Sequence, residues 1–236
     1  MDKALQQLVE RLRKAYGDRL VSAVLYGSAA AGDHNKEFSD INILCVLSEL
    51  TPNEMRESEP IFRWWREQGS PAPLLLTENE VETCTDCFAI EFHDIKHTHR
   101  ILYGKDVVSN LVIDESFYRP QVEHELRAKL LRLRQKASGM LSEADLLRRL
   151  LADSISTFCV LFRHSLLLHG VDPGTKKRDV VAKTVERFGI DPLPFEKILD
   201  IREGKIKPRD VEPVALLASY LKGIAAVIDA VDRLEK

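Results

Sequence analysis

The chain changes character near residue 115. From Tyr118 onward no segment alternates with the period of two that a half-buried strand requires. Apolar residues recur instead every three or four positions: Val122, Leu126, Leu130, Leu133 and Ala137 form one face of a long helix. A second long helix is predicted from about Ser142 to His169, carrying Leu146, Leu150, Ile155, Phe158, Phe162 and Leu166 and stopping at Gly170. Shorter helices are predicted at about 177–188 and 194–202, and a last long one at about 211–234. Such stripes can be buried only against one another, so residues 116–236 are expected to form an all-α antiparallel helical bundle.

Residues 1–115 carry both periods. Leu5, Leu8, Val9 and Leu12 share a helical face, which Gly17-Asp18 ends. LVSAVLY (20–26) and DINILCVL (40–47) are short apolar runs suited to buried strands. Thr51-Pro52 opens a helix whose apolar side includes Ile61, Phe62 and Trp65, and PAPLLL (71–76) predicts a third strand. Thr77 with Glu80 three residues on is a capping-box pattern for a brief helix. FAIEFHDI (88–95) alternates, with Phe88, Ile90 and Phe92 on one side and Ala89, Glu91 and His93 on the other, and predicts a further strand. Strands interleaved with helices predict an α+β (α/β-type) domain with a short mixed sheet.

Charge and composition narrow the function classes. The chain has 34 Lys and Arg against 37 Asp and Glu, a net charge of −3, which counts against coating nucleic acid through a bulk positive field. No run reaches the ~18 consecutive apolar residues of a membrane span, and MDKALQQLVERLRK lacks the apolar centre of a secretory signal. A cytoplasmic protein without membrane contact is the expectation. Four cysteines are too few for a disulfide scaffold at this length. Cys84-x2-Cys87 is followed by His93, His97 and His99, which are zinc-type ligands. Only five residues separate Cys87 from His93, against ~12 or more between the pairs of finger-like sites, so the thiols are read as ordinary and reduced. His97 and His99 are assigned to surface loop, and His93 to solvent.

The stretch that carries chemistry is LYGSAAAGDHNKEFSDINILCVL, residues 25–47. An apolar strand ends in Gly27-Ser28, a small-residue segment follows, and Asp40-x-Asn42 opens the next strand. Glycine lets a backbone approach an anion closely, and a hydroxyl with exposed N–H groups can bind phosphate oxygens. Polar residues two apart on a strand point to one side and can face one magnesium pair. A third carboxylate from a neighbouring strand would complete such a site, and Glu91 has that place in the predicted strand.

With those residues the chain resembles the nucleotidyltransferase superfamily typified by DNA polymerase beta. It is most similar to small bacterial members of the kanamycin nucleotidyltransferase and minimal nucleotidyltransferase type. Their pattern is a strand, Gly-Ser, a spacer, then Asp-x-Asp or Asp-x-Glu; here Gly27-Ser28 is followed by eleven residues and Asp40-x-Asn42. LYGKD (102–106) resembles the turn after the strand that bears the third carboxylate. The resemblance covers residues 5–112 in detail, and the helical remainder resembles only in kind the bundles, HEPN type included, that accompany such domains. It implies transfer of a nucleoside monophosphate, often AMP, from ATP or another nucleoside triphosphate to a hydroxyl acceptor, with release of pyrophosphate. It further implies that Gly27 and Ser28 seat the triphosphate, that Asp40 and the residue at 42 bridge two magnesium (or manganese) ions, and that Glu91 binds the catalytic ion and deprotonates the acceptor. The resemblance also implies an acceptor, a small molecule or a protein hydroxyl, held by the helical domain, and the long helices are compatible with a homodimer.

Two positions depart from the pattern. Asn42 stands where the family has a carboxylate, and Ala31 is small where many relatives have arginine. A competent transferase and a noncatalytic regulator or binding protein of the same fold are therefore the two principal alternatives, with the balance toward the enzyme. A third comes from Arg163-His164-x4-His169, which resembles the arginine–histidine motif of HEPN ribonucleases; its structural alternative is a snorkelling Arg163 and a helix-terminal His169. The basic clusters Lys176-Lys177-Arg178 and Arg202, Lys205, Lys207, Arg209 are read as solvated turns between helices.

Overall fold

The computed structural model describes residues 1–30, 32 and 40–234. Its contacts divide the chain into two units, Met1–Phe117 and Tyr118–Lys236.

In the first unit, α1 (Asp2–Tyr16) buries Leu5, Leu8, Leu12 and Tyr16, the three-and-four spacing of a single face, and ends at Gly17 with φ 53°. β1 (Leu20–Tyr26) and β2 (Asn42–Leu47) pair antiparallel, Leu25 opposite Ile43 and Tyr26 opposite Asn42. α2 (Pro52–Glu67) starts at Thr51, whose side chain and Glu54 complete a capping box. β3 (Leu74–Thr77) runs parallel to β2, and α3 (Glu78–Thr83) follows through a second capping box, Thr77 with Glu80. α4 (Ala89–His97) leads into β4 (His99–Gly104), which pairs antiparallel with the other edge of β1. The sheet order is β3-β2-β1-β4, a short mixed sheet.

Alternation along β1 and β2 sends their side chains into two cores. Ala23, Leu25, Ile43, Cys45 and Leu47 pack with Leu5, Leu8, Leu12, Ile61 and Trp65 of α1 and α2. Val24, Leu44 and Val46 pack on the opposite face with Val81 of α3, Phe92 and Ile95 of α4, and Val108 and Leu111 beyond β4. A strand covered on both faces reads as an unbroken apolar run, which is why NILCVL does not alternate.

The segment predicted as a strand at 88–95 is helical, and the fourth strand is the following HRILYG. Ala89, Phe92 and Ile95 are buried at intervals of three, the spacing of a helical face, whereas Phe88 is 50% exposed where a strand would have placed it beside Ile90 and Phe92. Three alternating residues were too short a pattern to separate the two periods. LYG of LYGKD accordingly closes β4, and His99 is a strand residue with a side chain only 13% exposed, not part of a surface loop.

The second unit contains α5 (Tyr118–Ser138), α6 (Ala144–Leu168), α7 (Lys177–Phe188), α8 (Leu193–Arg202) and α9 (Pro213–Asp232), with no strand among its described residues. α6 packs against α5, α7, α8 and α9. Phe158 and Phe162 of α6, Phe195 of α8 and Tyr220 of α9 meet edge-to-face at 5.2–5.7 Å between ring centres. By length and composition alone α6 and α9 could cross a membrane. Leu151, Phe158 and Phe162 of α6 and Leu217, Ile224 and Val227 of α9 are instead buried inside this unit.

Candidate functional site

β1 delivers Gly27 to the end of the sheet beside the start of β2. Residues Gly27–Ala29 form one tight helical turn, with the Ala30 N–H donating to the Gly27 carbonyl at 3.0 Å. Gly27 has φ +74°, a conformation that favours glycine, and a Cβ there would lie 3.2 Å from Asn42 Nδ2. The backbone of Gly27 and the amide of Asn42 thus share one small space, and Ser28 follows, half-buried. Asp40 stands exposed two residues before Asn42. Most of the spacer, Ala31 included, lies outside the described residues.

The strand register extends this end of the sheet sideways. Asn42 is opposite Tyr26, and Tyr26 is opposite His99 on β4. Directly paired residues of antiparallel strands point to the same face, so the three form a polar row at the rim of the core that contains α4. Burial pushes the Tyr26 phenol above its usual range, and the nearby carboxylates of Glu91 and Asp94 on α4 add to the effect. Those two acidic side chains therefore lie within electrostatic range of Tyr26, Glu91 exposed and Asp94 half-buried. At the far end of the row, His99 Nε2 is 3.4 Å from Ser109 Oγ and 4.0 Å from Asp106 Oδ1. His93 is half-buried, not solvent-facing, with Nε2 3.1 Å from Glu115 Oε1.

Asp106 anchors that edge. Its carboxylate accepts from Ser109 Oγ at 2.7 Å and from the N–H groups of Ser109 and Val108 at 2.9 and 3.0 Å. These bonds, the Ser109 hydroxyl first, hold its pKa at about 2 against an ordinary 3.8. A carboxylate depressed in the folded state stabilises above its unfolded pKa, and that contribution is lost as the pH falls through 2. The side chain is 44% exposed, so solvent screening leaves only part of the shift as stability, about 1 kcal/mol. Asp106→Asn is expected to lower unfolding stability by that amount at pH 7, and denaturant titrations should show the difference shrinking from pH 4 toward 2.

The structure brings Gly27 and Asn42 close together, with Ser28 next in the chain, and places Asp40 at the entry to β2. Glu91 reaches the neighbourhood from a helix and not from a strand. None of the four strands carries an Asp or Glu, so the third carboxylate expected on a neighbouring strand is absent there. Among the described residues no three His, Cys, Asp or Glu side chains converge to hold a metal ion. Asp40, Asn42 and Glu91 contain only two carboxylates, so a metal ion held by them would have an amide oxygen among its ligands. Local sequence does not show Tyr26 and His99 in line with Asn42, which strand register decides, or Asp94 within electrostatic range of Tyr26, which the packing of α4 decides. Asp106-x2-Ser109, a spacing suited to a side-chain-capped turn, was the one legible signal among these residues.

In the helical unit His164 is fully buried, with Tyr118 Oη 2.6 Å from its Nδ1, out of reach of an RNA strand. His169 Nδ1 lies 2.7 Å from the Ser165 carbonyl, and its ring meets Phe188 edge-on at 4.9 Å. His164 thus sits in the packed interior and His169 at the end of α6. The basic clusters are not all solvated turns. Arg178, inside α7, bonds Asp200 at 2.6 Å and Glu203 at 2.8 Å, while buried Arg202 donates to the Ala152 carbonyl at 2.9 Å.

Residues 5–97 match the family described as nucleotidyltransferase domain. No curated protein sequence matches the chain. Among solved structures, the chain is similar to spectinomycin adenyltransferase AAD(9) from Enterococcus faecialis, determined with ATP and spectinomycin. The TM-score is 0.64 over 99% of this chain and 100% of that one, at 15% identity, a likeness of fold.

Proposed function

We propose, for a chain whose residues 5–97 are a nucleotidyltransferase domain, that it transfers a nucleoside monophosphate from a nucleoside triphosphate, with ATP the first candidate, to a hydroxyl group of a small acceptor. The observation that carries the proposal is the close approach of positive-φ Gly27 and Asn42 at the end of the β1–β2 pair, where a side chain at 27 would crowd the amide, within the matched residues. Gly27 and Ser28 seat the phosphates. The nucleotide enters as its magnesium or manganese complex, with Asp40 and Asn42 facing it. The acceptor oxygen bonds to the α-phosphorus, the bond from that phosphorus to the bridging oxygen breaks, and pyrophosphate leaves. Glu91 takes the acceptor proton. We assign the helical unit the binding of the acceptor, spectinomycin being a first probe.

One observation favours a second reading, a nucleotide-binding protein without turnover: the sheet has no carboxylate on any strand. Labelled ATP, GTP, CTP and UTP with magnesium or manganese, offered with a panel of hydroxylated acceptors, separate the two. Transfer is expected with at least one pair and is expected to fall at least a hundredfold in Asp40→Ala with folding intact. Saturable binding without transfer, in the wild type and in Asn42→Asp alike, would establish the second reading.

A further inference from the structure

Cys84 and Cys87 stand in one hydrogen-bonded turn. Cys84 closes α3, its N–H donating to the Glu80 carbonyl at 3.0 Å, and the Phe88 N–H returns to the Cys84 carbonyl at 3.0 Å as α4 begins. A chain turning with that five-residue bond brings positions three apart to about 5–6 Å between Cβ atoms, against about 4 Å across a disulfide. Closing the difference asks for adjustment within a turn in which Cys87 and Phe88 are exposed and Thr85 is buried. Cys84 is near enough to add a small upward push on the Cys87 thiol, after Asp86 and burial. Cys87 is exposed and Cys84 half-buried, while Cys45 is buried in the sheet core under α1 and α2 and Cys159 inside the helical unit. One accessible thiol with a second beside it, and no other accessible cysteine, is the layout of an attacking and a resolving pair.

We propose that Cys84 and Cys87 form a thiol–disulfide site that a low-molecular-weight disulfide oxidises to an intramolecular bond, fastening the end of α3 to the start of α4. Cys87, as thiolate, attacks one sulfur of the small disulfide, whose S–S bond breaks and releases one thiol. Cys84 then attacks the Cys87 sulfur of the mixed disulfide, forming the Cys84–Cys87 bond and releasing the second thiol. Two electrons pass from the protein to the small disulfide, and the two cysteine protons end on the two released thiols. Asp86 sets the rate of the first step. Its carboxylate, hydrogen-bonded to the Cys87 thiol, holds that thiol above its ordinary pKa and keeps the thiolate fraction low at neutral pH.

The test is incubation of the native full-length protein with oxidised glutathione, followed by thiol counting and peptide mass analysis. The expected result is loss of two of the four thiols, with the peptide spanning residues 84–87 lighter by two hydrogens and no glutathione retained. Cys84→Ser, checked by thermal melting, should hold glutathione on Cys87 as a stable mixed disulfide. Asp86→Asn should speed the wild-type reaction several-fold at pH 7. Glutathione remaining on wild-type Cys87 as it does in Cys84→Ser, dimers cross-linked through Cys87, or no thiol loss at all would each overturn the proposal. Nucleotide transfer is not measured, so the outcome is independent of the function proposed above.

Discussion

Asn42→Asp is expected to raise nucleotidyl transfer by two to three orders of magnitude. The side chains are nearly isosteric, so the new carboxylate occupies the space where the amide now faces Gly27. A unit charge added about 4 Å from a cation is worth about 4 kcal/mol at an effective dielectric near 20, and about 1.4 kcal/mol corresponds to each factor of ten. That sets an upper bound of roughly a thousandfold. Repulsion from Glu91 and Asp94, which also act on the adjacent Tyr26, brings the expected gain below that bound. Pyrophosphate release under saturating nucleotide and acceptor, with thermal melting as the folding control, measures it. Unchanged turnover in a folded variant would mean that the charge at position 42 does not limit the reaction.

Gly104→Ala is expected to cost about 3–5 kcal/mol of stability in the first unit. Gly104 closes β4 opposite Ser22 with φ +77°. A Cβ there would lie 2.1 Å from the Val21 carbonyl oxygen and 3.0 Å from its carbon, both main-chain atoms of β1. The left-handed conformation alone costs an alanine about 1–2 kcal/mol. Removing the overlap requires prising β4 from β1, which also breaks the Lys105 N–H bond to that carbonyl, now 3.0 Å long. Gly69→Ala isolates the clash, because φ is +84° there and a Cβ would meet nothing within 4 Å; about 1 kcal/mol is expected. The chain has two tryptophans, Trp64 and Trp65, both on α2, so denaturant unfolding followed by tryptophan fluorescence reports this unit. Equal losses for the two variants would show that the strands accommodate the methyl group.

Long periodic elements were legible because one pattern repeated over many residues. The face of α5 from Val122 to Ala137 and the capped starts of α2 and α3 follow directly from residue spacing. Segment 88–95 was not, because three alternating apolar residues satisfy a strand while Ala89, Phe92 and Ile95 satisfy a helix, and contact with the sheet selects the helix. That exchange moved Glu91 from a strand to a helix and hid β4, which brings His99 into the row with Tyr26 and Asn42.

The candidate site divides along the same line. Gly27-Ser28 and Asp40-x-Asn42 were readable in the sequence, because a glycine after an apolar run and polar residues two apart keep their meaning locally. So was the amide in place of a carboxylate at Asn42. The sequence by itself carried the change from mixed to purely helical periodicity, the Gly27-Ser28 and Asp40-x-Asn42 spacing and the amide at position 42. Only the tertiary structure decided what surrounds them: that no strand offers a third carboxylate, that Glu91 and Asp94 approach Tyr26 from α4, and that buried His164 belongs to packing. The physical reason is the range of the forces involved. Backbone preference and amphipathic spacing act over a few residues, whereas strand register and the burial of a charge depend on partners tens of residues away.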